Sequence, residues 1–526
     1  MSAAERMRTV PQTKSGPDRD WIMIGMAALT ILGAIAAGIL AADVGILAVA
    51  AAGSLALGVA IILRPDVATL TTIFILYSNT AVVAVKFHGV PLFVGAAVPL
   101  LLVVPLARDL VVRRLPVVAP PMLGWMLVLL IIHLVSALGS ANLTRSWDAV
   151  VVFAIEGFGL YFLLINVVRT PEMLRQVTWV LLAAGAFISI FSIHQDLTNN
   201  YDSNYWGLAQ PADAAFRTGV TTLVGDVTQR RLTGSIGETN RFAQVMLMLV
   251  PLGIFRFTGE RRHVLRVAAG IMTAIITLGV VLTFSRGAAV GLGVLVVALA
   301  LLRMVRIRHL AVLVLGLAVV LAAFPQYALR IGSIAQVGAL ADQDASRSEV
   351  GGAILSRATE TLAAALVIVD HPVLGVGPDM FNENYQAYAE VVGILVKQGA
   401  TREAHNLYLG IGAELGLVGL AVFLWIGIQT MGMIAKARRL SIRRRPDLEQ
   451  LTTPFALALL TYYVTGLFLH LSFARFYFLM LALAGAAAVI TLREMAAEDA
   501  REGPGRNDAA AAQPASPDTS GGLPAT

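Results

Sequence analysis

About fourteen apolar runs follow one another along the chain, at 21–40, 44–63, 67–86, 91–107, 121–139, 148–167, 175–194, 241–257, 265–284, 288–303, 309–324, 405–430, 451–470 and 475–493. Each is long enough for a helix to cross the ~30 Å hydrocarbon core of a bilayer. A segment in lipid must satisfy its own backbone hydrogen bonds, so the runs are expected to be helices. Only 14% of the 526 residues are charged and 57% are hydrophobic, whereas a soluble domain is about 25% charged. A soluble core cannot hide that much apolar surface. The expected fold is therefore an all-α polytopic membrane bundle.

The charges give this bundle a direction. The net charge is +6, but the basic residues gather in alternate loops. These are Arg108, Arg113 and Arg114; Arg169 and Arg175; Arg256, Arg261, Arg262 and Arg266; Arg303, Arg306 and Arg308; and Lys436 to Arg445. Cytoplasmic loops carry such excesses, so both termini are expected in the cytoplasm and no nucleic-acid partner is expected. No cleavable signal peptide is evident at the start. With no cysteine in the chain, disulfides, thiolate metal sites and a thiol nucleophile are excluded. Residues 1–20 read as a cytoplasmic tail, 21–230 as an N-terminal membrane region, 425–495 as C-terminal membrane helices and 496–526 as a disordered Ala/Pro/Ser/Gly tail. Two long loops, about 195–240 and 325–404, face outward. Apolar positions from Ala353 to Ile368 in the second suggest an amphipathic helix against the membrane.

Four polar places lie on the outward side. Arg286, in Ser285-Arg286-Gly287, is the only charge between Val267 and Leu302, where topology gives no reason for a cation. A guanidinium there suits a bidentate phosphate contact; the plain alternative is a snorkelling side chain on a lipid head group. Arg230 to Asn240 leads into a helix that Thr239 or Asn240 can cap. Gly234 and Gly237 in it allow close backbone approach to a ligand. Asp370-His371-Pro372 through Gly377-Pro378 reads by itself as a rigid structural turn. Glu403-Ala404-His405-Asn406 opens a span, and an imidazole there is matched to proton transfer near neutral pH. Glu403 or a backbone carbonyl can hold its tautomer. Asp370, His371, Glu403 and His405 lack any metal-ligand spacing, so neither a metal nor a cofactor is expected. Glu156 and His133, inside spans, read as paired structural groups.

Together the four pieces resemble the O-antigen ligase/polymerase superfamily of bacterial envelope glycan enzymes, over about 231–424. They are Arg231-Leu-Thr-Gly with Asn240; Thr283-Phe-Ser-Arg286-Gly; His371-Pro-Val-Leu-Gly-Val-Gly377 with Phe381 and Tyr385; and His405-Asn406 followed by Gly416 and Gly419. About fourteen spans exceed the twelve usual for ligases of the family. The resemblance implies a GT-C-like glycosyltransferase of the bacterial inner membrane, independent of metal, that inverts the anomeric carbon. Its donor would be a glycan on a polyprenyl (undecaprenyl) diphosphate, and its acceptor another glycan or a lipid, with membrane lipid and chain-length regulator proteins as further partners. Arg231 and Arg286 would hold the diphosphate and His405 would act on the acceptor hydroxyl. Asn406, Glu403, Arg402, Arg357, Arg347 and Tyr385 would contact substrate, and Tyr385, Tyr388 and Trp206 would stack on sugar rings. Polymerase and ligase stay open. The competing class is a secondary transporter or lipid-linked-glycan flippase, which would place ionisable groups near the membrane midplane within a repeat; no repeat is visible here.

Overall fold

The computed structural model describes residues 64–210, 220–222, 228–302, 349–394, 402–470 and 474–502. The expected spans at 21–40, 44–63 and 309–324 lie outside them, as does Arg347. The chain divides after Thr69, and all that follows concerns the second unit, Leu70–Thr526.

Each remaining expected span is a helix. The segment at 67–86 is a bent pair, α1 (Pro65–Tyr77) and α2 (Thr80–His88), which meet at 61°. Then come α3 (Leu92–Val112), α4 (Pro121–Leu138), α5 (Leu143–Val167), α6 (Pro171–Leu197), α7 (Thr239–Gly259), α8 (His263–Val281) and the shorter α9 (Arg286–Leu301). After α10 (Glu349–Asp370) and α11 (Phe381–Val392) follow α12 (Leu407–Ser441), α13 (Pro446–Phe468) and α14 (Ala474–Glu502). Among the described residues nine helices are long and apolar enough to cross a membrane, or ten with the bent pair. The molecule is an all-α polytopic membrane protein. A two-stranded antiparallel hairpin, β1 (Val220–Thr222) and β2 (Thr228–Arg230), is the one sheet among the described residues.

Local chemistry sets the helix starts. Thr170 caps α6 by accepting from the Met173 N–H, with Pro171 in the first turn, and Asn142 caps α5 by accepting from the Arg145 N–H. Such caps satisfy donors that have no partner within the helix. Burial then sorts the helices. The most apolar stretch of α14, rich in Ala and Leu, is 89% buried, against 28% for α8. Small side chains let neighbouring backbones come close, so α14 runs through the middle, packed by α5, α12 and α13. The outer faces of α4 and α8 present Leu, Ile and Val to lipid.

One joint positions everything below. In α12, Gly416 adopts φ 69°, ψ −176°, a conformation essentially reserved for glycine. It breaks the helical hydrogen bonds, and the loop from Asp370 to Pro378 fills the gap. Leu417 N–H donates to the Pro372 carbonyl (2.8 Å), Val376 N–H to the Ala413 carbonyl (2.9 Å) and Gly377 N–H to the Glu414 carbonyl (3.0 Å). Ser136 of α4 lies within 2.7 Å of the Leu374 carbonyl and 3.0 Å of the Glu414 carbonyl. A Cβ at Gly416 would overlap the Val373 carbonyl. The third and fourth sequence motifs are thus two halves of one backbone-to-backbone joint.

Candidate active site

The first two motifs are also one structure. Arg231 donates from Nε to the Thr283 carbonyl (2.6 Å) and from Nη2 to Asn240 Oδ1 (2.9 Å), while Leu232 N–H donates to the Leu282 carbonyl (3.3 Å). The segment after β2 that carries Arg231 is therefore stitched to the turn that carries Arg286. Within that turn Phe284 sits at φ 50°, with its ring buried. A left-handed non-glycine residue costs roughly 1–2 kcal/mol, so the surrounding packing holds it there. Ser285 caps α9 and leaves Arg286 at its first position.

The caps differ from expectation. Glu238, with no side-chain cap bond, precedes α7, and Thr239 is its first residue. Asn240 is committed to Arg231 instead. Gly234 and Gly237 are left-handed, and what comes close to them is the Phe242 ring and the Gln210 side chain, which belong to the protein itself.

Arg286 is half-buried and has no carboxylate within ion-pair distance among the described residues. The charge that acts on it is like-signed: Arg357 of α10 lies close enough for the two guanidiniums to repel. Arg357 reaches solvent at its surface, but the protein packed around it lowers its hold on its proton, opposed by Glu360 and Glu238. Two neighbouring guanidiniums, one of them without a carboxylate at ion-pair distance among the described residues, are chemically suited to an anion.

Glu360, also on α10, is 1% exposed and ties the cations to the imidazole. Its Oε1 accepts from Ser356 Oγ (3.1 Å) and lies 3.6 Å from Arg402 Nη1. Its Oε2 lies 3.2 Å from His405 Nδ1. The same Nδ1 is 3.0 Å from the Glu403 backbone carbonyl. Both neighbours are acceptors, so Nδ1 carries the proton and Nε2 of the neutral ring keeps its lone pair. Burial pulls the His405 pKa down, the Glu360 carboxylate pushes it up and Arg357 pulls it down; the net shift is upward. His405 is itself left-handed, at φ 45°.

The remaining expected contacts divide. Arg402 and Arg357 join His405 around Glu360. Asn406 instead caps α12, accepting from the Tyr408 and Leu409 N–H groups and donating to the Leu467 carbonyl, so its polar atoms are occupied. Tyr385 is 1% exposed and packs with Phe381, Ala363 and Val367 between α10 and α11; contrary to expectation, no ring face is open to a sugar. Trp206, by contrast, is 68% exposed.

Beside Glu403 opens a cavity of about 870 Å³, walled by α4, α5, α12 and α14 and the loop before α11. Arg145 and Asp148 of α5, Asp379, Glu403, His470 and Arg475 supply much of its polar lining. Arg145 pairs with Asp379 (2.9 Å) and Glu383 (3.4 Å), and Arg475 with Glu156 (3.2 Å). Glu156 is thus the paired intramembrane group the sequence suggests, and His133 bonds the Leu129 carbonyl and stacks on Phe153. Sequence reasoning missed Glu360, Arg145, Arg475 and the fully buried Arg241, which donates to the His470 carbonyl and pairs with Glu238.

Residues 271–424 match the family model of O-antigen ligase. That stretch holds Arg286, Arg357, Glu360, His405 and the glycine joint, and Arg231 lies outside it, well before its start. No curated protein matches the chain. The chain is thus a membrane protein that carries an O-antigen ligase domain, matched over residues 271–424, on a bundle of membrane-spanning helices.

Proposed function

We propose that the protein transfers a glycan from a polyprenyl-diphosphate carrier to an acceptor hydroxyl, at the end of the bundle that faces away from the cytoplasm. The observation that carries this reading is the His405–Glu360 pair set beside Arg357 and the carboxylate-free Arg286. The end assigned is the one opposite the loops that hold Arg113, Arg114, Arg261, Arg262 and Arg443 to Arg445, in keeping with the positive-inside bias.

In the step proposed, the acceptor oxygen attacks the anomeric carbon from the face opposite the diphosphate. A new glycosidic C–O bond forms and the bond from that carbon to the diphosphate oxygen breaks. The electron pair of the broken bond leaves on the lipid diphosphate, and the configuration inverts. His405 Nε2 takes the acceptor proton as the attack proceeds; Glu360 steadies the imidazolium that results. The proton then passes to water or to the departing diphosphate. Negative charge grows on the leaving group, so guanidiniums fixed beside it stabilise the transition state more than the ground state. Arg286 and Arg357 provide that charge in this scheme. Arg231, with two donors spent on Thr283 and Asn240, both fixes the Arg286 turn and adds positive potential. Arg402 and Glu403 frame His405, and no metal is required.

The test uses full-length protein in detergent, a lipid-diphosphate-linked glycan donor, an acceptor and EDTA. His405→Ala and Arg286→Ala are each expected to lose transfer by about 10²-fold or more while still purifying as folded protein. Normal transfer by either variant would overturn the assigned roles. Loss of wild-type transfer on adding EDTA would point to a metal-assisted reaction instead.

A further inference from the structure

The 870 Å³ cavity differs in charge from the guanidinium cluster it adjoins. Its two arginines are already neutralised, Arg145 by Asp379 and Glu383 and Arg475 by Glu156. Two further lining carboxylates, Asp148 and Glu403, have no Arg, Lys or His within ion-pair distance among the described residues. His470 adds no positive charge, because burial and the nearby Arg241 and His405 hold its pKa well below the ordinary imidazole value. The lining therefore leans negative, with apolar walls from Phe153, Phe423 and Phe478.

The cavity also meets the proposed base. Glu403 lines it and gives its carbonyl to His405 Nδ1 (3.0 Å). His470 lines it, and its ring centroid is 5.8 Å from that of His405. A diphosphate would be repelled from such a lining. A polyhydroxylated chain would not be: carboxylates accept from sugar hydroxyls, paired guanidiniums donate to ring and exocyclic oxygens, and the volume lies in the ~300–1,000 Å³ range of small-molecule sites.

We infer that this cavity binds the sugars of the acceptor, and that it takes neutral or amino-bearing glycans in preference to uronate- or phosphate-bearing ones. The role as acceptor site rests on the glycosyl-transfer reading above; the saccharide binding and its charge preference do not.

The experiment titrates full-length protein in detergent with maltohexaose, chitosan hexamer and hexagalacturonate, read by calorimetry, beside a fluorescent polyprenyl diphosphate. At least one of the first two oligomers is expected to bind, with hexagalacturonate about tenfold weaker or more. Ala149→Trp, which adds bulk to the lining, is expected to weaken oligomer binding about tenfold and leave polyprenyl-diphosphate binding unchanged. Asp148→Arg is expected to shift preference toward hexagalacturonate, and it keeps the test alive should the bulky variant fail to fold. Equal or tighter binding of hexagalacturonate to the wild type, no binding of any oligomer, or unaltered oligomer binding in both variants would overturn the inference. The two readings fail separately. Transfer that depends on His405 but keeps its acceptor KM in Ala149→Trp removes the cavity and leaves glycosyl transfer standing. Absence of transfer from any lipid-linked donor, with oligomer binding intact and sensitive to the variants, does the reverse.

Discussion

Two regions meet at His405 and are built from opposite charges. The first sets Arg357 and Arg402 by the buried carboxylate Glu360 and adds Arg286, which has no carboxylate at ion-pair distance among the described residues, so positive charge is left over. The second, the cavity beside Glu403, spends both of its guanidiniums on carboxylates and has carboxylates to spare. The elements differ as well. The cationic region is assembled from turns and a helix within the matched domain, whereas the cavity is walled mostly by α4, α5 and α14, outside it. A diphosphate and a polyol need different electrostatics, and one end of a bundle can offer both only if fixed side chains keep the fields apart. On the reading proposed above, the matched domain supplies the anion half, and much of the other half comes from helices outside it.

The contrast can be broken at the joint both regions share. The loop from Asp370 to Pro378 follows α10, with Arg357 and Glu360, and leads to Asp379 at the cavity. Gly416→Ala would drive a Cβ into the Val373 carbonyl and force a glycine-only conformation on alanine. It should destabilise the protein by about 3 kcal/mol or more and impair both donor and acceptor handling. Thermal unfolding in detergent and transfer kinetics measure this; a stable variant with only one KM altered would show that the regions are held separately.

A smaller, sharper effect is expected at the boundary. Glu360→Gln removes the charge that lifts His405 against burial and Arg357. The His405 pKa should fall, and because the base must be neutral to accept a proton, the acid limb of the pH–rate profile should move to lower pH. The rate on the plateau should drop about 10–10²-fold as the imidazolium loses its counter-charge. An unmoved acid limb would detach Glu360 from the chemistry. The smallest effect should come from Ser136→Ala, which deletes a buried hydroxyl between the Leu374 and Glu414 carbonyls. About 1 kcal/mol of stability should go, visible as a lower unfolding temperature with donor KM unchanged.

The helices were legible because lipid imposes one long apolar period, and every expected span within the described residues is a helix. The site was legible where a residue broke that pattern: a lone Arg286 in an apolar stretch, or His405 at the head of a span. Glu360 carried no such mark, since an acidic residue on an amphipathic helix reads as solvated; only the tertiary placement of α10 beside His405 buries it. Arg475 and Glu156 stand 319 residues apart, and no local spacing announces such a pair. Asn406 and Tyr385 belong to the motifs themselves, and the resemblance implies substrate contact for both; in the structure one serves as a helix cap and the other packs in a hydrophobic cluster. Gly234 and Gly237 read as room for a ligand, yet what approaches them is the protein's own Phe242 and Gln210, whereas the turn from Asp370 to Pro378 has the structural part its sequence suggests.

The break at Gly416 has a consequence for how such a chain can diverge. Main-chain atoms make the seam between α12 and the preceding loop, so it constrains lengths far more than letters. Val373, Leu374 and Val376 can be exchanged for other side chains without unmaking it. Inserting or deleting one residue between Asn406 and Gly416 would turn the imidazole by about 100° around the helix axis relative to the seam. The count of residues from the histidine to the glycine is thus a phase setting, and drift among relatives should respect that count long after the neighbouring identities have been lost.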